Sequence, residues 1–90
     1  MIKQYHLFFS GTVQGVGFRF TTRALAQKHQ VKGWVKNLSD GRVEIIAESE
    51  KNDLNNFLLD LKENFKHNIS DINKDEKEPT SQYQDFHVVF

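Results

Sequence analysis

The segment Gly11-Thr12-Val13-Gln14-Gly15-Val16-Gly17-Phe18-Arg19 gathers the residue types needed to hold an oxyanion. Its three glycines lie between an apolar run, Tyr5 to Phe9, and a helix-like segment that begins near Phe18. Glycine takes positive φ and lets another group approach closely, so a glycine-rich strand-to-helix turn can aim several N–H groups at one point. That point lies at a helix N-terminus, where unpaired N–H groups and the helix dipole both favour an anion. Arg19 adds a planar, permanently charged fork suited to two oxygens of one phosphate or carboxylate. The chemistry on offer is a nest for an oxyanion with a guanidinium clamp. Two common phosphate loops are absent. A P-loop needs Lys and Ser or Thr after its last glycine, where Phe18 and Arg19 stand here. A dinucleotide fingerprint needs a third glycine where Phe20 stands.

A second segment, Gly33-Trp34-Val35-Lys36-Asn37-Leu38-Ser39-Asp40-Gly41, leads into Arg42-Val43-Glu44-Ile45-Ile46-Ala47-Glu48. Asp40-Gly41 between two β-prone runs signals a hairpin. Together the two segments resemble the acylphosphatase family, whose signatures run G-x-V-Q-G-V-x-F-R and G-W-V-x-N-x-x-D-G. The motif-bearing part spans about residues 5–48, and the chain has the family's length. Thr12, His29-Gln30 and the segment from Phe65 to Ile72 depart from the family's usual pattern, but Gly15, Arg19 and Asn37 match it.

The resemblance implies metal-independent hydrolysis of the carboxyl–phosphate bond of an acyl phosphate, with no cofactor. Backbone N–H groups of Gln14, Gly15, Val16, Gly17 and Phe18 are then expected to hold the phosphoryl oxygens, with Arg19 completing the cradle. Asn37 is expected to orient the attacking water. An amide is no base near neutral pH, so its part is positioning. A carboxylate leaving group needs no general acid, and the substrate's phosphate can take the water's proton. Phosphoryl transfer asks a protein mainly for positioning and charge stabilisation. Nothing in the loop reads the acyl half, so broad selectivity is expected.

The other conspicuous residues have structural readings. His6, His29, His67 and His87 are scattered without ligand spacing and read as solvated. Trp34 reads as a packing residue and Asp40 as part of its turn.

Composition sets the frame for this site. Ninety residues with 38% hydrophobic content and eight Phe suit one small domain, read here as residues 1–90. There is no cysteine, hence no disulfide or thiolate chemistry, which suits a reducing cytoplasm. No apolar run approaches the roughly 18 residues of a membrane span, and Lys3, Gln4 and His6 interrupt the first apolar residues. The expected protein is therefore a cytoplasmic monomer with a small-molecule substrate and no membrane partner. Net charge is zero but uneven: residues 1–47 carry +5 and residues 48–90 carry −5. The positive half holds both motifs and would draw an anionic substrate.

The elements that must position these groups follow from periodicity. Residues 3–10 alternate as a strand with Tyr5, Leu7 and Phe9 on one face, and residues 18–29 read as a helix. Residues 31–38 and 42–48 form the hairpin. Leu54, Phe57, Leu58, Leu61 and Phe65 make the apolar stripe of a second helix, with Ser49 as its expected N-cap. Residues 66–84 are polar, with a strand expected near Ser70 to Asn73, and Phe86, Val88 and Phe90 alternate as a closing strand. The order β-α-β-β-α-β predicts a ferredoxin-like α+β sandwich, an antiparallel sheet with both helices on one face. In that arrangement the first two strands run parallel with the third between them. The Gly11–Gly17 loop and Asn37 then meet at one sheet edge.

Domains of this topology also bind RNA or small anions. The third strand, Arg42 to Glu48, has no aromatic and carries two acids, which argues against a nucleic-acid partner. A module that binds an anion without turning it over stays open, because the same cradle would serve it. A domain cut from a larger carbamoyl-transfer protein is less expected for a ninety-residue chain starting at Met1.

Overall fold

The computed structural model describes all residues, Met1–Phe90. Strand β1 (Ile2–Gly11) is followed by helix α1 (Phe18–Lys28), strands β2 (Lys32–Asn37) and β3 (Val43–Glu50), and helix α2 (Lys51–Asn64). Strands β4 (Ile69–Lys77) and β5 (Phe86–Val89) complete the chain. The sheet order is β4-β1-β3-β2-β5, so β3 does lie between the parallel pair β1 and β2.

Alternation along the strands decides which face is covered. Tyr5, Leu7 and Phe9 pair with Ala47, Ile45 and Val43, and Val35 pairs with Ile45 from the other side. All of these are fully buried, and they form one core with Phe18 and Ala26 of α1 and Leu54, Phe57, Leu58 and Leu61 of α2. Both helices therefore pack on the same sheet face, as a ferredoxin-like sandwich requires. Gly33 occupies its place by necessity: a Cβ there would lie 1.9 Å from the carbonyl oxygen of Ile46. Trp34 sits half-buried on the opposite, helix-free face, paired with Ile46 and covered by Lys36 Nζ at 5.3 Å from its ring.

The sheet is mixed rather than antiparallel. β1·β3, β1·β4 and β2·β3 are antiparallel, but β5 runs parallel to β2. There are also five strands rather than the four of β-α-β-β-α-β, because the strand expected near Ser70 to Asn73 extends over all of β4 and the expected closing strand forms as well, as β5. The chain leaves β4 at the edge where β1 and β2 begin and crosses beneath the sheet. It then rises as β5, so its last residues arrive at the edge where β1 and β2 end. An antiparallel β5 would have delivered them to the wrong edge.

The crossing segment is tied down by Glu48. This side chain is only 6% exposed and accepts hydrogen bonds from Gln4 Nε2 (2.7 Å), the Thr80 backbone N–H (2.7 Å) and hydroxyl (3.0 Å), and the Ser81 N–H (3.1 Å).

The two helix ends are closed in different ways. At the end of α1, Gln30 takes the left-handed conformation (φ 58°) that glycine more often supplies. The Val31 N–H reaches the Ala26 carbonyl at 2.8 Å and the Gln30 N–H reaches Gln27 at 3.3 Å, which closes α1 with paired C-terminal bonds. Ser49 is not the N-cap of α2. Glu50 holds that place without a side-chain cap, while Ser49 Oγ donates to the Gln30 carbonyl at 3.0 Å. The strand β3 simply runs farther than its apolar pattern, and Ser49 is spent on a tertiary contact.

Candidate active site

The loop between β1 and α1 is held at both ends. At its start, the Thr12 N–H donates to the Asn68 carbonyl at 2.9 Å, and Val13 is fully buried. At its end, Phe18 is 2% exposed and packs its ring 5.2 Å from Phe9 and 4.6 Å from Phe65. Thr22 Oγ1 donates back to the Phe18 carbonyl at 2.7 Å. Burying Phe18 fixes the rotation of the helix's first turn, and this places Arg19 and Phe20 at the sheet edge.

Between these anchors the backbone is free to donate. Gly15 (φ 75°) and Gly17 (φ 80°) sit in the left-handed region, where an L side chain is strained even though neither would meet a neighbour. Gly17 is the N-cap of α1; it offers no side-chain cap, and the first turn carries no acidic residue. The first bond of the helix runs from the Thr21 N–H to the Gly17 carbonyl at 3.0 Å. The N–H groups from Gly15 to Phe20 have no acceptor within the protein. An uncapped run of this kind at a helix N-terminus is an anion site in waiting.

Gln14 does something the sequence does not reveal. Its side-chain Nε2 donates to the Leu38 carbonyl at 2.8 Å and the Arg42 carbonyl at 2.9 Å. These are the two carbonyls flanking the Asp40-Gly41 turn, itself closed by the Leu38 N–H to the Arg42 carbonyl at 2.8 Å. The phosphate loop is thus bolted to the hairpin that carries Asn37. Asp40 serves its turn as expected. The Arg42 backbone N–H, then the Arg42 guanidinium (2.8 Å from Oδ2), hold its carboxyl below the usual range.

Arg19 is half-buried and is supported from β5. Its Nη1 donates to the Val89 carbonyl at 3.3 Å, and its guanidinium carbon lies 5.0 Å over the Phe90 ring. The remaining N–H groups of the fork are available to an oxyanion.

These groups share a cavity of about 160 Å³. Val13 and Phe18 form its apolar floor, and Gly15, Gly17, Arg19, Phe20 and Asn37 complete the lining. The Asn37 Oδ1 is buried with no hydrogen-bond partner within the chain. A buried amide oxygen without a donor is uncommon and points to a group supplied from outside the chain. Of the residues expected at the site, Gly15, Gly17, Phe18, Arg19 and Asn37 are brought together. The Gln14 side chain is turned to the hairpin, and Val16, 39% exposed, does not line the cavity, so only their backbone N–H groups can take the expected part. Phe20 and the support from Val89 and Phe90 were not legible beforehand.

A larger cavity of about 280 Å³ lies at the opposite end of the sheet, beside Ile2, Lys32, Glu48 and Tyr83. It contains none of the expected residues, and its buried carboxylate is already committed to Thr80, Ser81 and Gln4. The histidines also stay away from the small cavity. His6 and His29 are half-buried rather than solvated, each 2.6 Å from a carboxylate, Glu44 and Asp60 respectively. No cluster of three or more His, Cys, Asp or Glu side chains converges to hold a metal ion.

Residues 5–88 match the family model described as Acylphosphatase. The chain is 39% identical to the acylphosphatase of Bacillus subtilis, over 97% of both chains. It is 45% identical to that of Borrelia garinii, over the full length of both. The crystal structure of acylphosphatase from Bacillus subtilis superposes with a TM-score of 0.88 at 37% identity, covering all of both chains.

Proposed function

This chain belongs to the acylphosphatase family, acid anhydride hydrolases that split acyl phosphates into a carboxylate and phosphate, and on that premise we propose that Arg19 and Asn37 carry the reaction. The phosphoryl oxygens lie against the free N–H groups of the Gln14–Phe18 segment and the open face of the Arg19 fork. Asn37 Oδ1 accepts a hydrogen bond from the attacking water and aims its oxygen at phosphorus. A bond forms from the water oxygen to phosphorus while the bond from phosphorus to the carboxylate oxygen breaks. The water's proton passes to a phosphoryl oxygen, and the carboxylate leaves without needing a proton. Arg19 and the N–H groups stabilise charge on the equatorial oxygens throughout, which is where such sites gain most of their rate. The reaction written this way calls on no metal or cofactor.

The observation that carries this reading is that Asn37, whose buried Oδ1 has no partner within the chain, lines the same small cavity as Arg19 and the glycines. We also propose that residues 1–90 act as one domain and as a monomer, on small-molecule substrates in the cytoplasm, without nucleic acid or membrane partners. The cysteine-free composition supports that setting, and no helix is long and apolar enough to cross a membrane.

The test is hydrolysis of benzoyl phosphate in the presence of EDTA by wild type, Arg19→Ala and Asn37→Ala, each checked for folding by circular dichroism. Arg19→Ala is expected to lose on the order of 10³-fold and Asn37→Ala on the order of 10²-fold in kcat. A folded variant with near-normal turnover would remove that residue from the mechanism. A folded wild type that binds phosphate but turns nothing over would make the protein an anion-binding module.

A further inference from the structure

Apolar side chains are exposed where the fold has no use for them. Phe20 is 58% exposed and Phe90 88% exposed, and Val16 and Val89 are 39% and 38% exposed. All four lie at the phosphate-loop end of the sheet, and they make up most of the large apolar side chains left open on the molecule. Phe20 stands in the first turn of α1, outside the core, and it lines the cavity holding Arg19 and Asn37. The rings of Phe20 and Phe90 are 6.2 Å apart and inclined at 50°, so they form one aromatic rim. A scattered exposed Phe needs no explanation, but a contiguous apolar rim at a binding cavity does.

The cavity's chemistry says what the rim is for. Arg19 is its only charged lining residue, and Asn37 the only lining residue with a neutral polar side chain. With Arg19 engaged by the phosphoryl group and Asn37 by the attacking water, the side chains left in the lining are apolar, and the exposed one among them is Phe20, next to Phe90. No ammonium, guanidinium or carboxylate among the lining residues is left to read a charged acyl half.

We propose that Phe20, backed by Phe90, receives the acyl half of the substrate, so that aryl and other apolar acyl phosphates are processed in preference to small or charged ones. The inference rests on the placement of the phosphoryl group at Arg19 argued above. It departs from the broad selectivity expected from the loop alone, because the reading residue, Phe20, lies outside the loop in the first turn of α1. Aromatic stacking and exclusion of water from an apolar acyl group act on the bound substrate and the transition state alike, so the effect falls mainly on KM.

The experiment compares kcat/KM for benzoyl phosphate and acetyl phosphate in wild type, Phe20→Ala and Phe20→Leu, with inhibition by inorganic phosphate measured alongside. Phe20→Ala is expected to lower kcat/KM for benzoyl phosphate by about 5- to 10-fold, mostly through KM, with acetyl phosphate changed by no more than about twofold. Phe20→Leu should fall between, and the inhibition constant for phosphate should hold, because phosphate has no acyl half. Equal losses on both substrates, a weakened phosphate inhibition, or no loss on either would overturn the proposal while leaving the hydrolase intact. Wild type that hydrolyses neither substrate would instead bring down the activity itself, and this inference with it.

Discussion

The guanidinium of Arg19 lies 5.0 Å over the ring of Phe90, separated from it by most of the chain. The Val89 carbonyl holds the same group by a 3.3 Å hydrogen bond. An arginine stacked on a ring and tethered at one nitrogen loses little further freedom on meeting an oxyanion. Phe90→Ala removes the stack and leaves the tether. Stacking at an exposed site is worth about 0.5–1 kcal/mol, so kcat/KM should fall about 2- to 5-fold for acetyl phosphate, and further for benzoyl phosphate, whose ring also loses the backing of Phe90. The thermal midpoint should barely move, because Phe90 is 88% exposed. A loss confined to benzoyl phosphate would mean that Phe90 reads the acyl half without supporting Arg19.

Gln14 joins the phosphate loop to the hairpin through two side-chain bonds, to Leu38 at 2.8 Å and Arg42 at 2.9 Å. Both carbonyls keep a backbone partner when the amide is removed, so the stability cost of Gln14→Ala should stay near 1–2 kcal/mol. Activity should suffer more, by about 10- to 100-fold, because the bolt sets the distance between the N–H run and Asn37. Gln14→Glu should be worse on both counts, since it turns a carboxylate toward two carbonyl oxygens. Thermal melts and steady-state rates on the two variants check this; rates that track stability alone would make Gln14 a packing residue.

The site's parts were readable where chemistry and local geometry coincide, and unreadable where the supporting contact is distant. Gly15, Gly17, Arg19 and Asn37 declare themselves because positive φ, a charged fork and a hairpin signal are local properties. The β1–α1 and β2–β3 order then brings them together. Gln14 and Phe90 have no such local mark, since each works through residues far along the chain. β4 hid for a different reason. It is an edge strand in which Ile69 and Ile72 are half-buried and the rest is exposed, so Asp71, Lys74, Asp75, Glu76 and Lys77 protect an edge while erasing the alternation. The parallel pairing of β5 with β2 could not be read from four residues; it follows from the crossing segment that Glu48 anchors.

Burial pushes the Glu48 carboxyl up, but the bonds from the Thr80 N–H, Gln4, the Thr80 hydroxyl and the Ser81 N–H together outweigh it and leave the group below its ordinary value of 4.5. A carboxyl depressed in the folded state contributes stability that is complete above that ordinary value and is lost as pH falls through the folded one. Glu48→Gln keeps the shape but turns an amide N–H₂ toward donors, so it should cost about 2–4 kcal/mol at pH 7. The gap between wild type and variant should narrow as pH falls below the ordinary carboxyl value of 4.5 and the wild-type carboxyl takes up its proton. Urea denaturation at pH 7, 5 and 3 measures it; a gap that stays constant with pH would assign the contribution to packing.

Asn37 makes the opposite prediction for stability. Its Oδ1 is buried without a partner, so the folded protein bears the desolvation of that oxygen and gains no bond from it. Core residues replaced by alanine ordinarily destabilise, yet here the truncation also removes the unsatisfied group. Asn37→Ala should therefore leave folding stability within about 1 kcal/mol of wild type, or raise it, while kcat falls on the order of 10²-fold. Phosphate binding should be retained, because the N–H run and Arg19 are untouched. Chemical denaturation with phosphate titration on the one variant separates the cases. A large stability loss would mean that the Asn37 side chain helps hold β2, and loss of phosphate binding would move it from the water to the phosphoryl group.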